Sequence, residues 1–300
     1  MRFMSDPVLQ SVFQSSNPPH QDERALTPIR EATPIIGSLR QATAKAPMSN
    51  DRWTRTLMAV ASHLALLLVW YLFVKFGDVP KFVMPSPLDT AKTLAQANYN
   101  WWGNGLVTAT EIYGGYLAAL VAGVLLALAF TWSRPLEALM MPLLVSLNMI
   151  PKVALGPLII VWFKYGIVPN MLIAFSICVF PILLTTVRGL REVEPDLLDL
   201  VKSLRGSRWQ TFTKIQLPGA LPYIFSGMKV AAILAVAGAI VGEFLGSDKG
   251  LGYLMLQVQV TLDTPAMFMA VILITLIGML LYGFVLALER LLVVKDARLE

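Results

Sequence analysis

Downstream of residue 50 the chain alternates between long apolar runs and short charged connections. A hydrocarbon core of about 30 Å needs roughly 20 residues of helix to cross it. Six runs reach that length, at about 54–76, 106–131, 136–163, 167–187, 221–245 and 266–288, and the last holds 23 residues without a charge. The connections carry patterns of their own. Between the first two runs, Pro85-Ser86-Pro87 introduces a short helix from Leu88. Trp101-Trp102 then suit a membrane–water boundary. Between the last two, Ser247 to Pro265 is a Gly-bounded loop with an interfacial helix over Leu251 to Val260. The expected fold class is an all-α membrane protein of about six transmembrane helices.

The longest charged segment beyond residue 100 is Glu192 to Lys229. Within it Leu197, Leu200, Val201 and Leu204 recur at i, i+3, i+4 and i+7, the spacing of a helix with one apolar stripe. Asp196, Asp199, Lys202 and Arg205 fall on the other side. Gly206-Ser207 breaks the pattern, and Trp209 and Phe212 open a second short helical turn. Ile215-Gln216-Leu217-Pro218 is expected to end it, since Pro218 and Pro222 lack a donor and disfavour helix before them. Periodicity alone allows two readings: a helix lying on lipid headgroups, or a docking element for a soluble partner.

This segment resembles the EAA loop of bacterial ABC importer permeases, whose pattern is Glu-Ala-Ala, three residues, Gly, nine residues, Ile-x-Leu-Pro. Ile215, Leu217 and Pro218 match it. Asp199, Leu200 and Val201 stand at Glu-Ala-Ala, and Arg205 stands at the glycine, with Gly206 one place late. The acid is kept in type, both alanines are enlarged and the glycine is displaced. Further stretches are similar to the nitrate/sulfonate/taurine subgroup: the sequence from Ser203 to Ala231, MPSPLDT at Met84 to Thr90, IPKVALGPLIIVWF at Ile150 to Phe163, and VGEFLGSDKGLGYL at Val241 to Leu254. The likeness covers roughly residues 53 to 293.

The resemblance implies a type I ABC importer permease fold, with a six-helix domain over 51–295 and a cytoplasmic coupling loop at 191–218. Two permease copies, a homodimer in the simplest case, would share the translocation path at their interface. The implied partners are two cytoplasmic ATP-binding subunits, a periplasmic or lipid-anchored solute-binding protein and membrane lipid. Coupling would fall to Leu197, Asp199, Leu200, Val201, Leu204, Arg205, Gly206 and Trp209. The implied solute is small and anionic, nitrate-, sulfonate- or taurine-like, although the subgroup also holds permeases for pyrimidine-type vitamin precursors.

Composition supports the membrane class independently. Of 300 residues 56% are hydrophobic and 14% charged, against about a quarter charged in soluble domains. The net charge of +5 does not mark a nucleic-acid binder, because the basic residues sit mainly between apolar runs. With the N-terminus inside, twelve Lys and Arg face the cytoplasm, among them Arg134, Arg188, Arg191 and Arg290; five, Lys75, Lys81, Lys92, Lys164 and Lys249, face outward. That asymmetry puts both termini and the charged loop in the cytoplasm, and the resemblance implies a multi-pass protein of the bacterial inner membrane. The lone Cys178 lies in an apolar run, and His20 and His63 are far apart, so neither a disulfide framework nor a familiar zinc pattern is present. No phosphate loop, dinucleotide fingerprint or hydrolase motif occurs in a fitting context. The chain is therefore expected to be no enzyme, to hold no cofactor and to leave ATP hydrolysis to another polypeptide. Residues 1–50, with six prolines and no sustained apolar run, read as a disordered cytoplasmic tail without a signal-peptide core. A regulatory arm, a passive tail and a true start at Met48 all stay open.

Charges inside apolar runs are costly and single out candidates for the path. Lys152 falls well inside the third run, which Pro142, Pro151 and Pro157 interrupt. It would face the solute, pair within the subunit or reach an interface by its long stem. Glu243, near the outer end of the fifth run, is either a pathway or outer-gate group or a wet helix end. Glu111 and Lys229 are close enough to interfaces to snorkel. Gly114, Gly115 and Gly123 on the second run, and Ala235, Gly238, Ala239 and Gly242 on the fifth, allow close helix packing. An autonomous secondary transporter or channel is the competing class, though it would place more ionisable groups at the midplane.

Overall fold

The computed structural model describes residues 52–193 and 195–293. The tail expected at 1–50 lies outside them, as do Lys295 and Arg298. Among the described residues every regular element is helical. The long elements are α1 (Arg52–Phe76), α3 (Trp101–Trp132), α6 (Ile167–Arg191), α9 (Leu217–Gly246) and α11 (Thr264–Leu292). The short ones are α2 (Pro87–Lys92), α4 (Arg134–Met149), α5 (Lys152–Phe163), α7 (Pro195–Ser203), α8 (Arg208–Thr211) and α10 (Leu251–Val260). Five segments among the described residues are long and apolar enough to cross a membrane: Leu57–Phe76, Ala97–Trp132, Ile167–Arg191, Arg208–Gly246 and Thr264–Leu292.

The expected third span is not one helix. α4 and α5 meet at 87°. Pro151 has no amide hydrogen to carry the ladder across the junction, and Ile150 before it turns to an extended φ of −65° and ψ of 125°. The pair counts as a sixth span only if the bent unit crosses the membrane as a whole. A second correction concerns Pro218. The helix does not stop there: α8 runs through a π turn, Phe212–Gln216, into α9. Leu217 N–H bonds the carbonyl five residues back, at Phe212. Pro218 lies in the first turn of α9, where a missing N–H costs nothing.

The core of residues 63–293 is α6, packed along both α3 and α9, with α11 against the outer side of α9. Ile112, Tyr116 and Ala119 of α3 meet Cys178 and Ile182 of α6 and Ala231, Ala232, Ala235 and Ala239 of α9. The small residues set the spacing. A Cβ on Gly238 would stand 2.7 Å from the Ala174 Cα, against backbone that cannot swing aside. Outward positions such as Leu64, Leu68, Leu117, Val121, Leu139 and Leu280 are exposed, which lipid tolerates and water would not.

Ionic contacts close the bundle near the charged loop. Lys229 of α9 pairs with Glu289 of α11 at 3.1 Å, both largely buried. This replaces the expected snorkelling of Lys229, and the uncharged run of the last span ends at the residue that answers it. Arg191 of α6 grips Glu137 of α4 with both guanidinium arms. At the other end Trp70 Nε1 donates to the Pro85 carbonyl at 3.0 Å. Ser86 caps α2 through the Asp89 N–H, and Pro87 opens that helix.

The Gly238 contact can be tested. Gly238→Val is expected to destabilise the bundle by about 1–3 kcal/mol, the usual cost of overpacking a closed interface. Thermal unfolding of the detergent-solubilised protein should show a lowered midpoint.

Candidate functional site

Two regions gather the residues singled out by sequence: the charged loop, and the polar positions within the spans. The loop begins with α7. Its stripe faces outward, with Leu197 and Leu200 exposed, Leu204 73% exposed and Val201 half-buried. Asp199 is exposed, and its carbonyl accepts from the Ser203 hydroxyl at 2.9 Å. α7 ends in a Schellman turn, in which Gly206 N–H reaches back to the Val201 carbonyl at 2.8 Å. The residue before it carries the left-handed conformation such a turn needs, and that residue is Arg205, at φ +52°. The position that matches the glycine of the EAA pattern thus has glycine's backbone with an arginine side chain, at a cost of about 1–2 kcal/mol.

Ser207 then caps α8 with a capping box. Its hydroxyl accepts from Gln210 N–H at 3.2 Å, and its own N–H donates to Gln210 Oε1 at 2.8 Å. Trp209 is 64% exposed and stacks obliquely on Phe212 at 5.7 Å between ring centroids. Phe212 is buried and meets Trp132 at the end of α3, also at 5.7 Å. An apolar ledge, Leu197, Leu200, Leu204 and Trp209, therefore stands exposed on a loop that is capped at each turn and braced against α3.

Lys152 proves to be the first residue of α5, at the bend, and not the interior of a continuous span. Its ammonium donates to the carbonyls of Leu147 at 2.9 Å, Asn148 at 3.3 Å and Ile150 at 3.4 Å. They lie in and just after the last turn of α4, where the helix dipole favours a cation, and the Leu147 carbonyl accepts from the Ile150 N–H as well. Among the described residues the ammonium is thus held by carbonyls of its own chain.

Glu243 is not a wet helix end: it is 1% exposed. One carboxylate oxygen accepts from the Thr108 hydroxyl at 2.6 Å, the other from the N–H groups of Gly252 at 2.5 Å and Tyr253 at 3.1 Å. A carboxylate thus caps the first turn of α10. Gly250, at φ +113°, lets the chain pass directly over it, where any Cβ would strike the carboxylate. Glu111 does not snorkel either. It is fully buried, accepts from Asn170 Nδ2 at 2.8 Å and lies beside Glu243. Lys152 and Glu243, paired in the sequence reading as path residues, each serve as a cap for a different helix end.

The sequence reading missed Asn104, Thr108 and Asn170. Gly250 N–H donates to Asn104 Oδ1 at 3.0 Å and Leu251 N–H to Thr108 Oγ1 at 2.8 Å. The signal was available: Asn104, Thr108 and Glu111 recur at i, i+4 and i+7 on one face of an apolar helix. Asn104, Thr108 and Glu243 clamp the loop before α10 and its first turn onto α3 and α9, and Asn170 of α6 holds Glu111 beside them.

The family model for the inner membrane component of binding-protein-dependent transport systems matches residues 119–294. The riboflavin transport system permease protein RibX of Chloroflexus aurantiacus is 35% identical, over 90% of this chain and 98% of its own. The bicarbonate transport system permease protein CmpB of Synechococcus elongatus is 28% identical, over 81% of this chain and 93% of its own. A chain from inward-facing structures of the MetNI methionine ABC transporter superposes with a TM-score of 0.45 at 20% identity, covering 62% of this chain and 93% of that one.

Removing the carboxylate of Glu243 leaves two buried amides and a hydroxyl without an acceptor, at roughly 1–3 kcal/mol for each buried unsatisfied group. Glu243→Ala should therefore lower the thermal midpoint of the purified protein. It should also speed hydrogen exchange at the Gly252 and Tyr253 amides, which mass spectrometry of peptides spanning 247–256 reads directly.

Proposed function

The chain belongs to the inner-membrane components of binding-protein-dependent transport systems, and from that premise we propose that it is the membrane-spanning subunit of an ABC importer whose charged loop docks a separate ATPase. Family membership answers the competing idea of a self-sufficient secondary transporter. The observation that carries the docking assignment is the exposed set Leu197, Leu200 and Leu204 between the apolar helices Ile167–Arg191 and Arg208–Gly246, with exposed Trp209 at the start of the latter. Burying one leucine is worth about 1.5–3 kcal/mol, so three leucines and a tryptophan suffice to anchor a helix in a groove. Asp199, Val201, Arg205 and Gly206 complete the coupling loop in this reading. Of them, Val201 and Gly206 close the turn and Arg205 supplies its left-handed residue.

In the assembly we infer, two copies of the chain share a path, two ATP-binding subunits sit in the cytoplasm, and a solute-binding protein delivers from the periplasmic or lipid-anchored side. The type I fold and six crossings, with the bent α4–α5 unit as the third, belong to this reading. So does the cytoplasmic placement of both termini, supported by the twelve-to-five basic asymmetry. The solute is a small anion, supported by the half-buried cation at Lys152 and by the likeness to a bicarbonate permease. A second reading, a neutral heteroaromatic solute, is favoured by the likeness to a riboflavin permease.

Leu204→Asp should leave the protein in the membrane but release the ATPase, because a carboxylate buried without a partner costs more than the leucine contributed. Retention of the ATPase at its usual level in a pull-down would sink the docking assignment. Orientation has its own check. A reporter fused after Gly206 should register as cytoplasmic and one after Asp248 as periplasmic; the reverse pair of signals would invert the topology.

A further inference from the structure

The bend that Lys152 secures encloses more than a helix end. Between α4–α5, α6 and α9 lies a cleft of about 480 Å³ lined by Asn148, Lys152, Ile177, Phe180, Leu184 and Leu234. That volume lies within the range of about 300–1,000 Å³ typical of small-molecule sites. Phe180 and Leu234 occur near the middles of α6 and α9, so the cleft lies at mid-depth of the long helices. Broken helices persist at such depth where their irregular backbone faces protein or a wet cavity, and helix breaks of this kind line solute sites in other transporters.

The lining is chemically lopsided. It carries one cation and one amide, and among its residues there is no carboxylate. The three ammonium protons of Lys152 are matched by three carbonyls of the α4 end. Its charge therefore acts on the cleft as a field, not as a free donor. Asn148 is different: its backbone carbonyl holds Lys152, while its side-chain amide, at the cleft wall, forms no hydrogen bond among the described residues. Phe180 and the aliphatic side chains supply an apolar bed opposite.

Resting on the permease reading above, we propose that this cleft is a solute subsite for a small organic anion. Asn148 donates to its acidic oxygens, Phe180 and Leu234 cover its apolar part, and Lys152 is the positioning residue that sets the charge preference. Glu243, buried and committed to α10, takes no part in it.

The test does not require the solute to be known, because the chain has a single native cysteine. Cys178 is buried, and its thiol donates to the Ala231 carbonyl at 3.2 Å. Asn148→Cys would be reacted, in the complex assembled with its ATPase, with two methanethiosulfonates of similar size. One bears a sulfonate and the other a quaternary ammonium. The expected result is that the sulfonate reagent modifies the introduced thiol faster by roughly tenfold, since opposite and like charges differ by a kcal/mol or more at such range. Lys152→Gln, which keeps a donor for the α4 carbonyls and removes the charge, should abolish that preference. Leu139→Cys, on an exposed face of α4, should react with neither reagent if that face lies in lipid.

Equal rates, or a faster cationic reagent, would overturn the anionic subsite. So would failure of both reagents to modify the Asn148→Cys variant. Phe180→Cys repeats the measurement should Asn148→Cys not assemble, and its inertness to both reagents overturns the subsite equally. ATPase retention on the same preparations reports on the permease reading separately, so the subsite can fail while that reading stands.

Discussion

Lipid offers no hydrogen bonds, so a polar group carried into an apolar bundle must find its partner there. The placement of nearly every ionisable side chain among the long helices follows from that constraint. Lys229 meets Glu289 across α9 and α11. Lys152 meets the carbonyls at the end of a broken helix. Glu243 meets the amides that open α10. In each case the partner is an element distant in sequence or a helix terminus, so each charge also fixes where one segment ends and another begins.

The same constraint separates what was legible in the sequence from what was not. Runs of apolar residues fix the long helices closely: the interfacial helix was expected over Leu251 to Val260 and is found there, and the fourth span begins at Ile167 as expected. The stripe of α7 was equally visible, because a period of 3.6 is a local property. Partner choice is not local. Depth counted along single helices makes Glu111 a snorkelling group and leaves Glu243 either a pathway group or a wet helix end. Their burial depends on Gly250 from the loop before α10, on Thr108 of α3, which reaches Glu243, and on Asn170 of α6, which reaches Glu111. The prolines divided in the same way. Pro151 breaks its helix, whereas Pro218 does not, because a π turn before it places the ring in a first turn where no amide is needed. Residue identity alone does not distinguish the two.

The EAA-like loop shows how a departure from a pattern can preserve its geometry. Arg205 stands where the pattern has glycine and adopts glycine's left-handed backbone. The Schellman bond from Gly206 to Val201, the capping box at Ser207 and the Phe212–Trp132 contact over-determine that conformation. Strain of this kind persists only where the surroundings hold it. The enlarged positions Leu200 and Val201 then divide their work: one is exposed on the ledge and the other, half-buried, takes the closing hydrogen bond.

That rigidity bears on how the two ends of the chain communicate. Because the π turn joins α8 to α9 without a break, one helical rod runs from Arg208 at the loop to Gly246 beside the Glu243 clamp. At 1.5 Å per residue, α9 alone extends about 45 Å. Small residues press it against α6 along its length, with Gly227 on Thr185 and Gly238 on Ala174, so it cannot bend away from α6 without opening the core. If the loop docks an ATPase as proposed, a push on it would move α9 and α6 as one body, with the clamped α10 travelling with them. The α4–α5 unit is tied to that body differently: through the Arg191–Glu137 pair at one end and the Gly156–Leu245 contact at the other. Its bend, held by a flexible lysine cap, breaks the backbone ladder beside the cleft, and Pro181 of α6, also in the cleft wall, lacks the amide hydrogen for its own ladder bond. A displacement between the rigid body and the bent unit would widen or narrow the space between Asn148 and Phe180 while leaving every buried charge with its partner.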